Sequence, residues 1–320
     1  MIYSLYPLLK VVSGISLHPR DPDEEFTEAL STKVKAGIVT SLRSQYDLNE
    51  LLKSLHLPRA TYYDRLRRNK KPDKYAEVKA FIKKCFFGSK ETYGYRRIHD
   101  EADKVGFHYA EETIRRLMSD MGLKCVSYSK HTSKYHSYKG HVGLIAPNIL
   151  NQTFETTQPL TVFHTDVTQV RLCNGEWGYI SSITDEAIRE VIAAIVSASP
   201  NKALIQASLD ELEHHLKEGI KPTLHSDQGW QYQMVDYQQR LKAMNITQSM
   251  SRKGNCHDNV PIESFFNLLK RECLNRYQIN TLSDLRELVN GYVDWFNNVR
   301  ISRNKNGLTP VEYREQTMIA

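Results

Sequence analysis

From Leu160 onward the apolar residues change their period, and this change constrains the fold more than any other feature of the chain. Ahead of it, VKAGIVTSLRSQY, LNELLKSL, YAEVKAFIKKCFF, YGYRRIHDEADKVG and AEETIRRLMSDMG space their apolar residues as helices do. Beyond it, LTVFHTDVTQV, WGYISSIT and REVIAAIVSAS alternate or run apolar over strand lengths, with the turn CNGE between the first two. Three such segments in succession predict an antiparallel meander. NKALIQASLDELEHHLKEG then reads as an amphipathic helix, TLHSD as a fourth strand, MVDYQQRLKAM as a helix and ITQSMS as a fifth strand. Two helices, over residues 259–273 and 283–299, complete this part. The expected fold is an α/β domain with a mixed five-stranded sheet, preceded by an all-α region.

The helical half divides further. Over residues 34–72, Asp47 can cap a helix through LNELLKSL, the turn HLP follows, and RATYYDRLRR sets Arg59, Thr61, Tyr62, Arg65 and Arg68 on a second helix. Two short helices, a tight turn and a basic, aromatic second helix describe a helix-turn-helix, with Arg59 and Arg65 as DNA contacts; a plain three-helix bundle fits the same pattern. Residues 73–125 form a second helical, DNA-binding unit, whose helices end at Gly106 and Gly122. There Tyr93-Gly94-Tyr95-Arg96-Arg97 puts aromatic rings beside guanidinium groups at a helix start, which suits phosphate contact by Arg96 and Arg97. Residues 126–158 are polar, basic and turn-rich and read as an interdomain linker; residues 1–33 form an unassigned extension, and 159–320 the α/β domain.

Charge follows the same division. The net charge is +6, yet residues 31–150 carry 24 Lys and Arg against 12 Asp and Glu. A basic half joined to a near-neutral one suggests a polyanion-binding module, although a solvated lysine-rich face would give the same count. No run approaches the length of a membrane span, and Lys10 interrupts the mildly apolar start, so neither a membrane partner nor a signal peptide is expected. The five cysteines are scattered without a CxxC pair, which suits a reducing cytoplasm and argues against a zinc module. His214 and His215 read as a solvated pair.

Three acids occupy distinctive places. Asp166 lies within the first strand, where a charge would spoil an apolar stretch unless paired or bound to a cation. Asp227 lies at the carboxyl end of the fourth strand, where open α/β sheets place ligands. Glu263 sits in the first turns of a helix and shares a face with Asn267 and Lys270, while Asp258, at the loop-to-helix boundary, reads as a cap. Mg²⁺ prefers oxygen ligands, and two such ions can clamp the attacking and leaving oxygens of a phosphodiester. Any α/β domain has acids near strand ends, so spacing alone leaves open whether these three share a metal.

The motifs YGYRRI (93–98), TDVT (165–168), HSDQGWQY (225–232), QSMSRKGNCHDN (248–259), ESFFNLLKRE (263–272) and GLTPVEYR (307–314) decide between these readings. From about residue 35 to 316 the chain resembles the OrfB-type DDE transposases of bacterial insertion sequences, the insertion-sequence-three family, within the retroviral-integrase superfamily. Thirty-five residues separate Asp227 from Glu263, the spacing of that family's motif, and Lys270 follows seven positions later. The resemblance implies an RNase H-like integrase catalytic core with a C-terminal helix and tail over residues 159–320. It implies a polynucleotidyl transferase in which Asp166, Asp227 and Glu263 hold two Mg²⁺ ions, with Mn²⁺ able to substitute, and in which Lys270 contacts the transposon end. Cleavage at the ends and strand transfer into target DNA would follow, in DNA integration and recombination.

The implied partners are double-stranded DNA, as terminal inverted repeats and target, a homo-oligomer assembled on it, and an upstream-frame, OrfA-type product or fusion. The implied setting is the bacterial cytoplasm at the nucleoid. Two departures stand out: Phe163 where Trp is usual, and Lys305 where the tail motif is apolar. A DNA-binding regulator or inactive domesticated copy retaining the fold, and a general nuclease, are the alternatives.

Overall fold

The computed structural model describes residues 30–69, 72–126, 143–152, 156–252 and 256–319. Most of the expected extension, residues 127–142 and 153–155 of the expected linker, and residues 253–255 lie outside the described residues. The chain forms two units, one up to Glu77 and one from Val78.

Three helices build the first unit: α1 (Thr32–Leu42), α2 (Leu48–Ser54) and α3 (Arg59–Asn69). Asp47 caps α2 as expected, its carboxylate accepting the Asn49 and Glu50 N–H groups at 2.8 and 3.2 Å. Ile38, Val39, Leu42, Leu51, Leu52 and Tyr62 close a small core between the three. Burying each such side chain contributes about 1.5–3 kcal/mol, and that burial holds helices this short.

The second unit starts within α4 (Ala76–Gly88) and continues through α5 (Tyr95–Lys104) and α6 (Glu111–Asp120). Gly106 and Gly122, just past α5 and α6, take φ of 91° and 70°, the left-handed geometry that ends a helix at little cost to glycine. Tyr93 is buried: its hydroxyl donates to the Val299 carbonyl at 3.1 Å and accepts the Ile301 N–H at 2.8 Å. This ring, expected beside guanidinium groups, lies under Arg97 and also fastens the helices to the carboxyl-terminal tail.

The sheet comprises β1 (Val162–Arg171), β2 (Trp177–Asp185), β3 (Val191–Ser197), β4 (Thr223–Ser226) and β5 (Thr247–Met250), in the order β3-β2-β1-β4-β5. The first three form the expected antiparallel meander; β4 and β5 run parallel to β1. Side chains alternate faces along a strand. Phe163 and Val167 of β1 join a core with Ile205 and Leu209 of α7 (Lys202–Glu213) and Tyr237 and Leu241 of α8 (Val235–Ala243). The alternate positions His164 and Thr168 instead meet Asn259 and Lys270, at the start and within α9 (Val260–Glu272). Phe265 of α9 packs edge-on against Phe296 of α10 (Leu282–Asn298), ring centroids 5.5 Å apart.

Two features depart from expectation. Part of the segment read as linker runs along β5: Ile149 N–H donates to Ser249 Oγ at 3.0 Å, and Met250 N–H to the Pro147 carbonyl at 3.3 Å. The tail also holds a further helix, α11 (Pro310–Ile319). Its start is a capping box: Glu312 N–H donates to Thr309 Oγ1 at 3.2 Å, and Thr309 N–H to Glu312 Oε2 at 2.8 Å. Among the described residues, no helix is long and apolar enough to cross a membrane.

Candidate active site

The β1–β4 register builds the centre of the site. Thr165 pairs with Ser226 across two parallel strands, so Asp166 and Asp227 are the next residues on each. Adjacent strands lie about 4.8 Å apart, which brings the two carboxylates side by side. Asp166 Oδ1 accepts the Val167 N–H at 2.7 Å, and Asp227 Oδ1 accepts the Gly229 N–H at 2.8 Å. A Cβ at residue 229 would come within 2.9 Å of that same carboxylate oxygen and of the Gln231 amide, so a larger residue there would displace these side chains. Burial, then repulsion from Asp227 and, more weakly, from Glu263, holds the Asp166 carboxyl well above the ordinary carboxylate range. Burial raises Asp227 as well, opposed by the Gly229 hydrogen bond.

Glu263 enters from α9. The start of that helix is held by Asn259, whose Nδ2 donates to the Thr165 carbonyl at 3.2 Å and whose Oδ1 lies 2.9 Å from His164 Nδ1. The other nitrogen of His164 lies 2.7 Å from Glu186 Oε2. A chain of buried polar groups therefore ties the helix bearing Glu263 to the strand bearing Asp166. Two turns further along α9, half-buried Lys270 donates to Thr168 Oγ1 at 2.6 Å, two residues beyond Asp166 on the same face. Burial lowers the Lys270 pKa and the charge of Asp166 raises it.

The residues fit a cation by their chemistry. Two partly buried carboxylates, the second raising the pKa of the first, with a third acid also acting on the first, form a site whose stability a divalent ion would improve. Among the described residues, however, no three Asp, Glu, His or Cys side chains already close on one point.

Asp258 has another task. Its carboxylate accepts the Arg252 backbone N–H at 2.8 Å, the Arg252 Nη2 at 2.9 Å and the Asn148 Nδ2 at 3.0 Å. Although burial opposes it, the Arg252 hydrogen bonds hold its pKa down at about 2. It clamps the loop ahead of α9 rather than capping the helix. Sequence reasoning missed His164, Glu186 and Asn259; an ionisable His164 inside an apolar strand was the available signal.

The expected DNA contacts are dispersed. In the first unit Arg59 is exposed, donates to Asn49 Oδ1 at 2.9 Å and lies over the Tyr63 ring, whereas Arg65 is half-buried and donates to Thr32 Oγ1 at 2.7 Å. In the second unit Arg96 and Arg97 line a cavity of about 720 Å³ with Arg115, Lys124 and Arg303. Arg97 sits over the Tyr93 ring; burial and neighbouring Arg300 lower its pKa.

An Integrase core domain model matches residues 156–256, which include Asp166 and Asp227, and a second of the same description matches 263–318, beginning at Glu263. The chain is 41% identical over 280 residues to InsK, which carries the name of a transposase for insertion sequence element IS150 from Escherichia coli K12; the match covers 88% of this chain and 98% of that one. The chain belongs to the insertion-sequence transposases. Within this family it is also 31% identical to the transposase InsF of IS3A from E. coli K12, over 73% of this chain and 81% of that one. An HTH-like domain model matches residues 72–131, that is, α4 to α6 and not α1 to α3. Among solved structures the HTLV-2 integrase catalytic core domain in complex with magnesium gives a slight likeness, with a TM-score of 0.40 at 16% identity over 49% of this chain and 97% of that one.

Proposed function

We propose that this chain is a DNA transposase that cleaves the ends of its own insertion sequence and joins them to target DNA. The observation carrying this is the placement of Asp166 and Asp227 one residue beyond the last paired positions of parallel β1 and β4, with Glu263 of α9 near enough to act on Asp166. Asp166, Asp227 and Glu263 would hold two Mg²⁺ ions, or Mn²⁺ in their place. Such ions, when bound, supply neutralisation of charge on the attacking and leaving oxygens of a phosphodiester.

The chain's own residues do the rest. Asn259 holds the start of α9 to β1, so that Glu263 completes the acidic set. Thr168 orients Lys270 towards the phosphate next to the reacting bond. Arg59 and Arg65 of the first unit, and Arg96 and Arg97 of the second, supply cations for the terminal repeats and the target. Domain roles follow: residues 34–72 and 73–125 bind DNA, and residues 159–320 perform the chemistry. Two DNA ends must be brought together, so we place a homo-oligomer on the DNA, with an upstream-frame product as a further partner.

The test uses labelled duplexes ending in the element's terminal repeats, incubated with the protein and Mg²⁺. Strand cleavage and joining that vanish in Asp227→Asn, with DNA binding retained, are expected. Binding without any metal-dependent cleavage, with the upstream-frame product supplied, would leave only a DNA-binding regulator.

A further inference from the structure

Past Lys270, the face of β1 that carries Asp166 and Thr168 leads to Val170 and into a cavity of about 360 Å³. Its walls include Gln169, Arg171, Lys270, Asn275 and Tyr277, and among the described residues no carboxylate lines it. Lys270 thus faces both the acidic pair and this cavity. At about 3.4 Å per strand residue, Val170 lies about 14 Å from Asp166, no more than about four stacked nucleotide steps.

The far wall is held from two sides. Cys173 N–H donates to the Ile279 carbonyl at 2.8 Å, fixing the segment after Tyr277 to the end of β1. Arg276, just before Tyr277, bridges to Glu91 at 2.9 Å and donates to the Lys90 carbonyl, so it points elsewhere. Tyr277 is left 53% exposed on a fixed backbone. Arg171 is likewise held, its guanidinium 5.0 Å from the centre of the Trp177 ring.

An exposed aromatic face, two cations and the absence of acids suit a nucleotide. An unpaired base offers a free face to a tyrosine, whereas a base inside a duplex is covered above and below. We propose that this cavity binds an unpaired nucleotide of the DNA end adjoining the reaction centre, its base stacked on Tyr277 and its phosphate between Lys270 and Arg171. The proposal rests on the transposase function above and adds to it that the end is frayed when bound.

The test compares full-length wild type, Tyr277→Ala, Tyr277→Phe and Arg171→Ala on two probes. One is a fully paired duplex; the other carries a short unpaired tail with 2-aminopurine, whose fluorescence is quenched on stacking. Tyr277→Ala should bind the tailed probe at least about tenfold more weakly and lose the quenching, while Tyr277→Phe retains both. Arg171→Ala should weaken binding of the tailed probe and reduce its dependence on salt. Equal binding of the tailed probe by wild type and Tyr277→Ala, or equal losses in Tyr277→Ala and Tyr277→Phe, would overturn the site. Cleavage of the paired duplex by wild type reports separately on transposase function: cleavage with no effect of Tyr277→Ala sinks the cavity alone. A Tyr277-dependent quench without cleavage sinks the transposase and leaves the cavity.

Discussion

Two carboxyl groups held side by side, each with its pKa raised chiefly by burial, are a burden to the folded state. Because Asp166 has a folded pKa raised above its ordinary value of about 4, stability is greatest below that pH and is lost as the pH rises towards the raised value. Asp166→Asn should therefore raise the melting temperature of the metal-free protein by a few degrees at neutral pH, and should abolish strand cleavage. Thermal melts in chelator from pH 4 to 8 check this; a lower melting temperature would contradict it. Lys305 gives a second case. It is buried, donates to the Ala187 carbonyl at 3.0 Å, and burial pulls its pKa down from 10.5 to about 8. In the window between these values the unfolded chain binds the extra proton, so wild type should gain on the order of 2–3 kcal/mol relative to Lys305→Met as the pH rises through it. Parallel denaturation curves at pH 7 and 10 measure the difference. The positions of Asp166 and Asp227 on their strands were readable from sequence because strand period and strand ends are local properties. The partners of Asp258 and His164 were not, since Asn148 and Glu186 reach them across the tertiary fold.

At the scale of elements, α9 delivers chemistry to the sheet, and its placement depends on both of its ends. At the start stands Asn259, already described. At the end, buried Glu272 accepts two hydrogen bonds from Arg300, at 2.8 and 2.7 Å, and a third from the Tyr292 hydroxyl at 2.8 Å. Breaking this pair should cost about 3–5 kcal/mol, because Arg300 is left charged in a dry interior; chemical denaturation of Glu272→Ala measures it. Asn259→Ala should instead leave most of the stability, costing about 1–3 kcal/mol for the polar groups left unmet, while cutting metal-dependent cleavage. The meander and α7 to α10 were legible because each carries its own period. The helix α11 was not, although T-P-V-E at residues 309–312 spells a capping box, because its apolar spacing is weak over ten residues. Residues 143–152 run beside β5 through backbone and polar contacts, which leave no periodic trace in a sequence.

For the whole molecule, cations lie in both units, as the charge division along the chain anticipates. If phosphate contacts by Arg59, Arg65, Arg96 and Arg97 dominate, DNA affinity should fall about 10²-fold between 50 and 200 mM salt, and each Arg→Ala change should shrink that slope by about one. Titrations at several salt concentrations would detect a flat response, which would point to contacts other than phosphate. The three acids proposed to hold the metal, finally, come from a first strand, the end of a fourth strand and a helix still later in the chain, and that helix is anchored by Arg300 near the carboxyl terminus. On the proposed assignment, DNA-breaking capacity is withheld from the polypeptide during synthesis until nearly all of it has emerged. A copy shortened by a stop codon before Arg300 would consequently be harmless to the chromosome that carries it.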